Sequence, residues 1–336
     1  MGEIAKYLEW CKTAIANIRG NNILRAVIGN SACDLDSAAS AVSFGYYLHK
    51  TSETDNAKTI PVLNINKEDY PLKTEVKHLF DKYGISSSFL HFKDDINLID
   101  YKEKGKLEVV LVDRNTLSED EIPLKPCITY IVDHHRKQWV DDERVKTKIE
   151  KVGSCSTLIA ELILNSSITI DKHLAEMLYT TIILDTINLS KEADIVTEKD
   201  KIILNQLERK YLPNIDHTEI FNEYFKAKTD VSSLTLVEIL RKDVKIINDA
   251  NIKIGISSIP LPLLTFFNKD NVFGELREFS KLFSLNLVVI MVLFVTEDNT
   301  TKREIAVYSE NNKIKEEVRN RNIAPPIVRV YSRGYY

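Results

Sequence analysis

Asp34 and Asp36 stand two residues apart in "GNSACDLDS", and Asp113 ends the apolar stretch "LEVVLVD". Asp133, His134 and His135 end "YIVDHH", and Asp185 lies inside the apolar run "LYTTIILDTINL". Carboxylate oxygens and imidazole nitrogens are ligands for divalent cations. Asp34, Asp36, Asp113 and Asp185 carry the negative charge that two such cations neutralise, and a His adds a neutral ligand. Two cations about 3.5–4 Å apart suit phosphoryl chemistry, because the pair holds both a nucleophile and the phosphoryl oxygens. Oxygen-rich ligation points to Mg²⁺ or Mn²⁺ rather than to a thiolate-bound metal.

Each feature alone has an ordinary structural explanation. A D-x-D pair ahead of a helix supplies an N-cap and a first-turn acid. An Asp after a strand is a common turn residue. The adjacent His pair is harder to explain that way. Asp185 shares its helix with an apolar face of Leu178, Tyr179, Ile182, Ile183 and Thr186, with no Lys or Arg between Lys172 and Lys191. A carboxylate in apolar surroundings is costly unless it is paired or bound to a metal. The four features together mark a site.

The elements that must carry these residues alternate. Strands are expected at 23–29, 59–65, 86–92, 107–113 and 128–135, and helices at 36–50, 72–84, 154–164 and 171–189. Near-continuous apolar strands between helices imply an α/β domain with a mostly parallel sheet flanked by helices. Ligands of such sheets bind beyond the carboxyl ends of the strands, which is where Asp34, Asp36, Asp113 and the Asp-His-His run fall. The texture changes near Ser190, and Pro213 breaks a charged helix. Beyond it come helices near 218–228 and 234–242 and strands at 252–258, 285–295, 303–309 and 326–332. These make a smaller α/β domain with a mixed sheet, so domains are expected over 1–212 and 217–336.

The chain has 336 residues and a formal net charge of −4. No surplus of Lys and Arg calls for nucleic acid. The longest apolar run, "LVVIMVLFV", is far short of the roughly 20 residues of a membrane-spanning helix and reads as a buried strand. The N-terminus carries neither a secretory signal nor a myristoylation site. The four Cys have no pair spacing, so reduced thiols and a cytoplasmic location are expected. Cys33 and Cys155, beside the motifs, are read as small packing residues.

The order of "VIGNSACDLDSAASA", "LVDRN", "IVDHH", "VGSCST" and "TTIILDTINL" resembles the DHH phosphoesterase superfamily. The later "DVSSLTLVEILRKDVK", "GISSIPL" and "VYSR" resemble its DHH-associated second domain. The resemblance covers nearly the whole chain. It is nearest to the branch of exopolyphosphatases and prune phosphodiesterases, beside the family II inorganic pyrophosphatases. It implies two divalent cations, Mg²⁺ first and Mn²⁺ or Co²⁺ as alternatives. Asp34 and Asp113 would hold one, with Asn30 where the pyrophosphatases have a His ligand. Asp36, Asp113, His134 and Asp185 would hold the other. His135 would touch the substrate phosphate and protonate the leaving group, with Asp133 orienting the His pair. Lys245 and Arg333 would clamp phosphate from the second domain, and the site would lie in the cleft between the domains.

Three departures from the family pattern stand out. Asn30 replaces His, which favours Mg²⁺ and argues against a specialised pyrophosphatase. Arg114 replaces the usual His of an Asp-His-Asn motif and would still offer a phosphate donor. Gly334 replaces the Lys of a Ser-Arg-Lys tail, so one phosphate clamp is missing or another basic residue such as Lys242 or Arg241 supplies it. The resemblance therefore implies a monomeric exopolyphosphatase that releases terminal phosphate from inorganic polyphosphate through a bridging hydroxide. A pyrophosphatase, a prune-like cyclic nucleotide phosphodiesterase and a non-catalytic scaffold are the alternatives.

Overall fold

The structure is a computed structural model and describes residues 2–18, 22–52, 56–190, 194–249, 252–295, 301–320 and 328–330. It divides into two compact units, Met1–Ala227 and Lys228–Tyr336.

The first unit runs α1 (Glu3–Ala16), β1 (Ile23–Ile28), α2 (Leu35–Thr51), β2 (Ala57–Leu63), α3 (Thr74–Lys82), β3 (His91–Phe92), α4 (Leu98–Glu103) and β4 (Leu107–Val112). It continues with β5 (Ile128–Asp133), β6 (Lys146–Ile149), α5 (Cys155–Leu164), α6 (Lys172–Asp185), α7 (Glu198–Tyr211) and α8 (His217–Thr229). The six strands form one sheet in the order β3-β2-β1-β4-β5-β6, and every pairing is parallel. The carboxyl halves of the central strands are apolar because helices cover the sheet: Ala26, Val27, Val110, Leu111, Ile131 and Val132 are all buried. The chain winds outward from β1 to β3, then returns to β4 beside β1. The strand order thus reverses between β1 and β4, which is where such sheets open a crevice. The register aligns the tips: Leu111 lies opposite both Ile28 and Ile131. Residues just past these strands are therefore brought side by side.

The strand expected over 86–92 shrinks to β3, behind a 3₁₀ turn over Ser87–Phe89, and other elements differ as well. Helix α6 stops at Asp185 rather than near 189, because Ile187, Asn188 and Leu189 all take left-handed backbone angles, with φ of 49°, 54° and 60°. A right-handed helix cannot pass through them. Strand β6, "KTKI", was not expected; its exposed edge position leaves it little apolar character. Helix α8 buries Ile220 and Tyr224 in the first unit's core, and the division falls in its last turn, after Ala227.

The second unit contains α9 (Leu236–Lys242), β7 (Val244–Asp249), β8 (Ile252–Ile259), α10 (Leu263–Phe267), α11 (Val272–Leu282), β9 (Leu287–Val295), β10 (Thr301–Tyr308), α12 (Asn312–Asn320) and β11 (Val328–Val330). Its sheet is mixed, in the order β11-β10-β9-β8-β7. β7–β8 and β9–β10 pair antiparallel, while β8–β9 and β10–β11 pair parallel. Ile239, Leu240, Phe266, Leu276, Phe279, Val288 and Ile290 form its core. The apolar run "LVVIMVLFV" is strand β9. No helix among the described residues is long and apolar enough to cross a membrane.

Candidate metal centre

Asp113 is the first residue past β4 and sits at the reversal point. Its backbone is left-handed (φ 56°), a conformation that Asp tolerates better than most residues. This turn aims its carboxylate at the neighbouring strand tips, and the residue is only 2% exposed. Asn30, past β1, donates from Nδ2 to Asp113 Oδ2 at 2.6 Å. The other oxygen, Oδ1, is buried with no hydrogen-bond partner.

That oxygen faces His134. His134 Nε2 lies 3.3 Å from Asp113 Oδ1 and 3.8 Å from Asp36 Oδ2. The other ring nitrogen, Nδ1, is 3.0 Å from the Val152 carbonyl oxygen. A carbonyl only accepts, so Nδ1 carries a hydrogen and the neutral ring presents the lone pair of Nε2 to two carboxylates. Three electron-rich atoms aimed at one point repel one another unless positive charge lies among them. Burial opposes the imidazolium, but Asp113 and Asp36 outweigh it and push His134 up to about 10. Asp113 itself is held well above the usual carboxylate range, by burial first and by Asp36 next. Among the described residues, Asp113, His134 and His135 also place ligand atoms within 4.8 Å of one another. The donor set of carboxylate oxygen and imidazole nitrogen fits a hard or borderline divalent cation.

Asp36 lies in the first turn of α2, 2% exposed. Its Oδ2 accepts from the Cys155 amide at 2.6 Å. Its Oδ1 accepts from the Ser156 amide at 2.9 Å, the Ser156 hydroxyl at 2.7 Å and the Ser40 hydroxyl at 3.1 Å. The amino end of α5 therefore holds the Asp36 carboxylate against the helix's partial positive charge. Asp34 does what a D-x-D pair can do structurally: it caps α2, accepting from Ser37 N at 3.0 Å. Its charge also raises Asp113. Asp185 is half-buried as the last residue of α6. An acid there faces the negative end of its own helix, a placement that a bound cation would offset.

His135 is oriented differently. Its side chain is 54% exposed. Its Nδ1 donates to Asp133 Oδ1 at 2.9 Å, so Nε2 is the outward-facing nitrogen. Asp133 is fully buried and also accepts from the His134 and His135 amides. Burial alone would raise this acid, but hydrogen bonds from His135 and Asn115 outweigh that and lower it. Asn115 was not singled out in the sequence beyond its place in "LVDRN". Its amide donates to Asp133 and to the Arg136 carbonyl, and its oxygen accepts from Gln138 N and Trp139 N.

Two expected site residues have other work. Asn30 Oδ1, the atom that would ligate a cation, accepts from the Ala32 and Cys33 amides at 2.9 and 3.1 Å. Its side chain braces Asp113 through an N–H, which cannot bind a cation. Arg114, expected at the substrate, is buried and uses every guanidinium hydrogen internally. Nε and Nη2 donate to the Thr116 carbonyl, Nη1 to the Gly29 carbonyl, and both terminal nitrogens to the carboxylate of Glu121. Glu121 also accepts from Asn64 and Ser118. Burial would raise it, but the Arg114 guanidinium outweighs burial and lowers it to about 2.

In the second unit Lys245 is exposed on edge strand β7, not on a helix face, and Lys242 is buried as the last residue of α9. Arg333 and Gly334 lie outside the described residues. All four Cys are free. Burial raises the Cys33 thiol to about 12 and Cys155 well above its usual value, so both stay protonated among packed neighbours.

Two family models match: the DHH family N-terminal domain over residues 25–182 and the DHHA2 domain over residues 222–325. The chain is 34% identical to the exopolyphosphatase PRUNE1 of Homo sapiens over 325 residues, covering 96% of this chain and 71% of that protein. It is 25% identical over 280 residues to a manganese-dependent inorganic pyrophosphatase of Methanothrix thermoacetophila, covering 81% of this chain and 82% of that one. A crystal structure described as a family II inorganic pyrophosphatase of Methanococcus jannaschii shares the fold. Its TM-score is 0.62 at 23% identity, with 87% of this chain and 89% of that chain covered.

Proposed function

The chain belongs to the DHH phosphoesterase superfamily, in its prune branch, and from that premise we propose that it is a metal-dependent exopolyphosphatase releasing terminal phosphate from inorganic polyphosphate. The observation that carries the metal requirement is the buried Asp113 Oδ1, without a hydrogen bond, facing His134 Nε2 at 3.3 Å. Relatives named exopolyphosphatase and manganese-dependent pyrophosphatase support divalent cations and a phosphoanhydride substrate.

In this reading Asp36, Asp113 and His134, with Asp34 and Asp185, would hold two divalent cations, Mg²⁺ before Mn²⁺. When bound, the cations polarise the phosphoryl oxygens and make water a nucleophile at neutral pH. The chain's own residues do the rest. The α5 amides and the Val152 carbonyl keep Asp36 and the His134 ring from turning. Asp133 holds the His135 Nδ1–H, so that Nε2 is left to face the phosphate, and a second proton carried on Nε2 would pass to the departing oxygen. Lys245 and Arg333 bind the phosphates that follow the scissile bond. Arg114 is left out of substrate binding, because its hydrogens are committed to Glu121, Thr116 and Gly29.

The experiment is phosphate release with Mg²⁺ from pyrophosphate, tripolyphosphate and long-chain polyphosphate, with Asp113→Ala as control. Stepwise release from the longer chains, lost in the variant, is the expected result. Preference for pyrophosphate would replace this reading with a pyrophosphatase. Silence of folded protein on all three would turn attention to cyclic nucleotides, and then to a scaffold.

A further inference from the structure

Asp200 lies in α7, distant in sequence from every motif, and is fully buried. At the start of α7 it closes a capping box, accepting from the Thr197 amide and hydroxyl, each at 2.7 Å. A capping acid normally sits at the surface, and this one has a second task. It accepts from the Gly153 amide, at 2.9 Å to Oδ2 and 3.1 Å to Oδ1, and from the Thr157 hydroxyl at 2.6 Å.

The Gly153 amide belongs to the same peptide group as the Val152 carbonyl. That carbonyl accepts the Nδ1–H of His134. One rigid peptide plane therefore has the Asp200 carboxylate on its N–H and the His134 ring on its C=O. A carboxylate on the N–H polarises the peptide and makes its oxygen a stronger acceptor. A stronger acceptor at Nδ1 makes Nε2 a better donor to a metal and fixes the ring's orientation. Two and three residues on, the Cys155 and Ser156 amides hold Asp36. The bond to Thr157 anchors the far side of that turn. Position 153 has no room for a side chain: a Cβ there would come within 2.6 Å of the Thr186 methyl and 3.0 Å of Asp200 Oδ2. The peptide is thus pressed onto the carboxylate.

We propose that Asp200 is a positioning residue of the metal centre, acting on His134 through the Val152–Gly153 peptide and on Asp36 through the first turn of α5. The inference rests on the reading of Asp36, Asp113 and His134 as metal ligands. The test uses the full chain and Mn²⁺ alone, without substrate. Titration calorimetry gives the Mn²⁺ affinity of wild type, Asp200→Asn and Asp200→Glu, and far-UV circular dichroism and thermal melts in EDTA establish that each is folded. Visible spectra of the Co²⁺-loaded proteins report the ligand geometry. Asp200→Asn is expected to bind Mn²⁺ about 10-fold or more weakly and to shift the Co²⁺ bands while folded at the assay temperature. Asp200→Glu keeps the charge but lengthens the arm. It is expected to weaken binding in the same direction, and it carries the test if the Asn variant does not fold. A folded Asp200 variant with wild-type Mn²⁺ affinity and wild-type Co²⁺ bands would overturn the proposal, and a lowered melting temperature alone would not rescue it. Folded wild type that binds no Mn²⁺ would overturn the metal reading and this proposal with it.

Discussion

His134 Nε2 and Asp113 Oδ1 lie 3.3 Å apart at the point where the strand order reverses, each turned toward the other by bonds made elsewhere. The Val152 carbonyl holds the far side of the ring, and Asn30 holds the far oxygen of the carboxylate. The pair is therefore prearranged for a cation, at a cost to the metal-free fold.

That cost is measurable. The unfolded chain ionises Asp113 freely at neutral pH and the fold does not, so this acid works against folding there. Asp113→Asn is expected to raise the melting temperature in EDTA, by roughly 2–4 °C for each kcal/mol relieved. The same variant should lose Mn²⁺ binding by calorimetry. A variant less stable than wild type in EDTA would contradict the argument.

His135 separates chemistry from metal binding. Its Nδ1 is committed to Asp133, and Nε2 faces outward. His135→Ala is expected to lower turnover by about 10²–10⁴, with Mn²⁺ affinity nearly unchanged. Asp133→Asn, which weakens the hold on the ring, should lower turnover by about 10–100-fold. Steady-state phosphate release beside calorimetry distinguishes the two effects.

Arg114 and Glu121 predict a pH window. Glu121 titrates at about 2 in the fold against an ordinary 4.5, so its contribution is complete above about pH 4.5 and is lost as pH falls toward 2. Integrated, this is on the order of 3 kcal/mol. Urea unfolding across this range should show wild type losing stability relative to Glu121→Gln as the pH drops. At neutral pH Arg114→Ala leaves the buried carboxylate without its partner and is expected to cost about 3–5 kcal/mol.

Lys245 tests the second unit. If it binds the trailing phosphates, Lys245→Ala removes a charge-assisted contact, and KM for tripolyphosphate should rise roughly tenfold. Mn²⁺ affinity should not move. Equal KM in both proteins would remove Lys245 from the substrate site.

The parallel strands were legible because helices cover both of their faces, and the acids at their tips stand out against that apolar background. Residues whose role depends on distant partners were not legible. Glu121 sits in "EDEIPLKPC", a charged segment that folds as a 3₁₀ turn, and nothing local marks it as the counter-ion of Arg114. Asp200 is visible only as the acid of a capping box, because its partners Gly153 and Thr157 are more than forty residues away. Strand β7 went unread as well: "VKIIND" directly follows a charged helix end, and only its pairing with β8 identifies it as a strand.

The bond set of Arg114 also bears on how such a site changes between relatives. A guanidinium buried with every hydrogen committed cannot be introduced alone, and a carboxylate at 121 cannot be buried before it arrives. Exchange between the family's usual His and this Arg is therefore a two-position event. Chains with Arg at 114 should carry an acid at 121, and chains with His there should be free of that constraint.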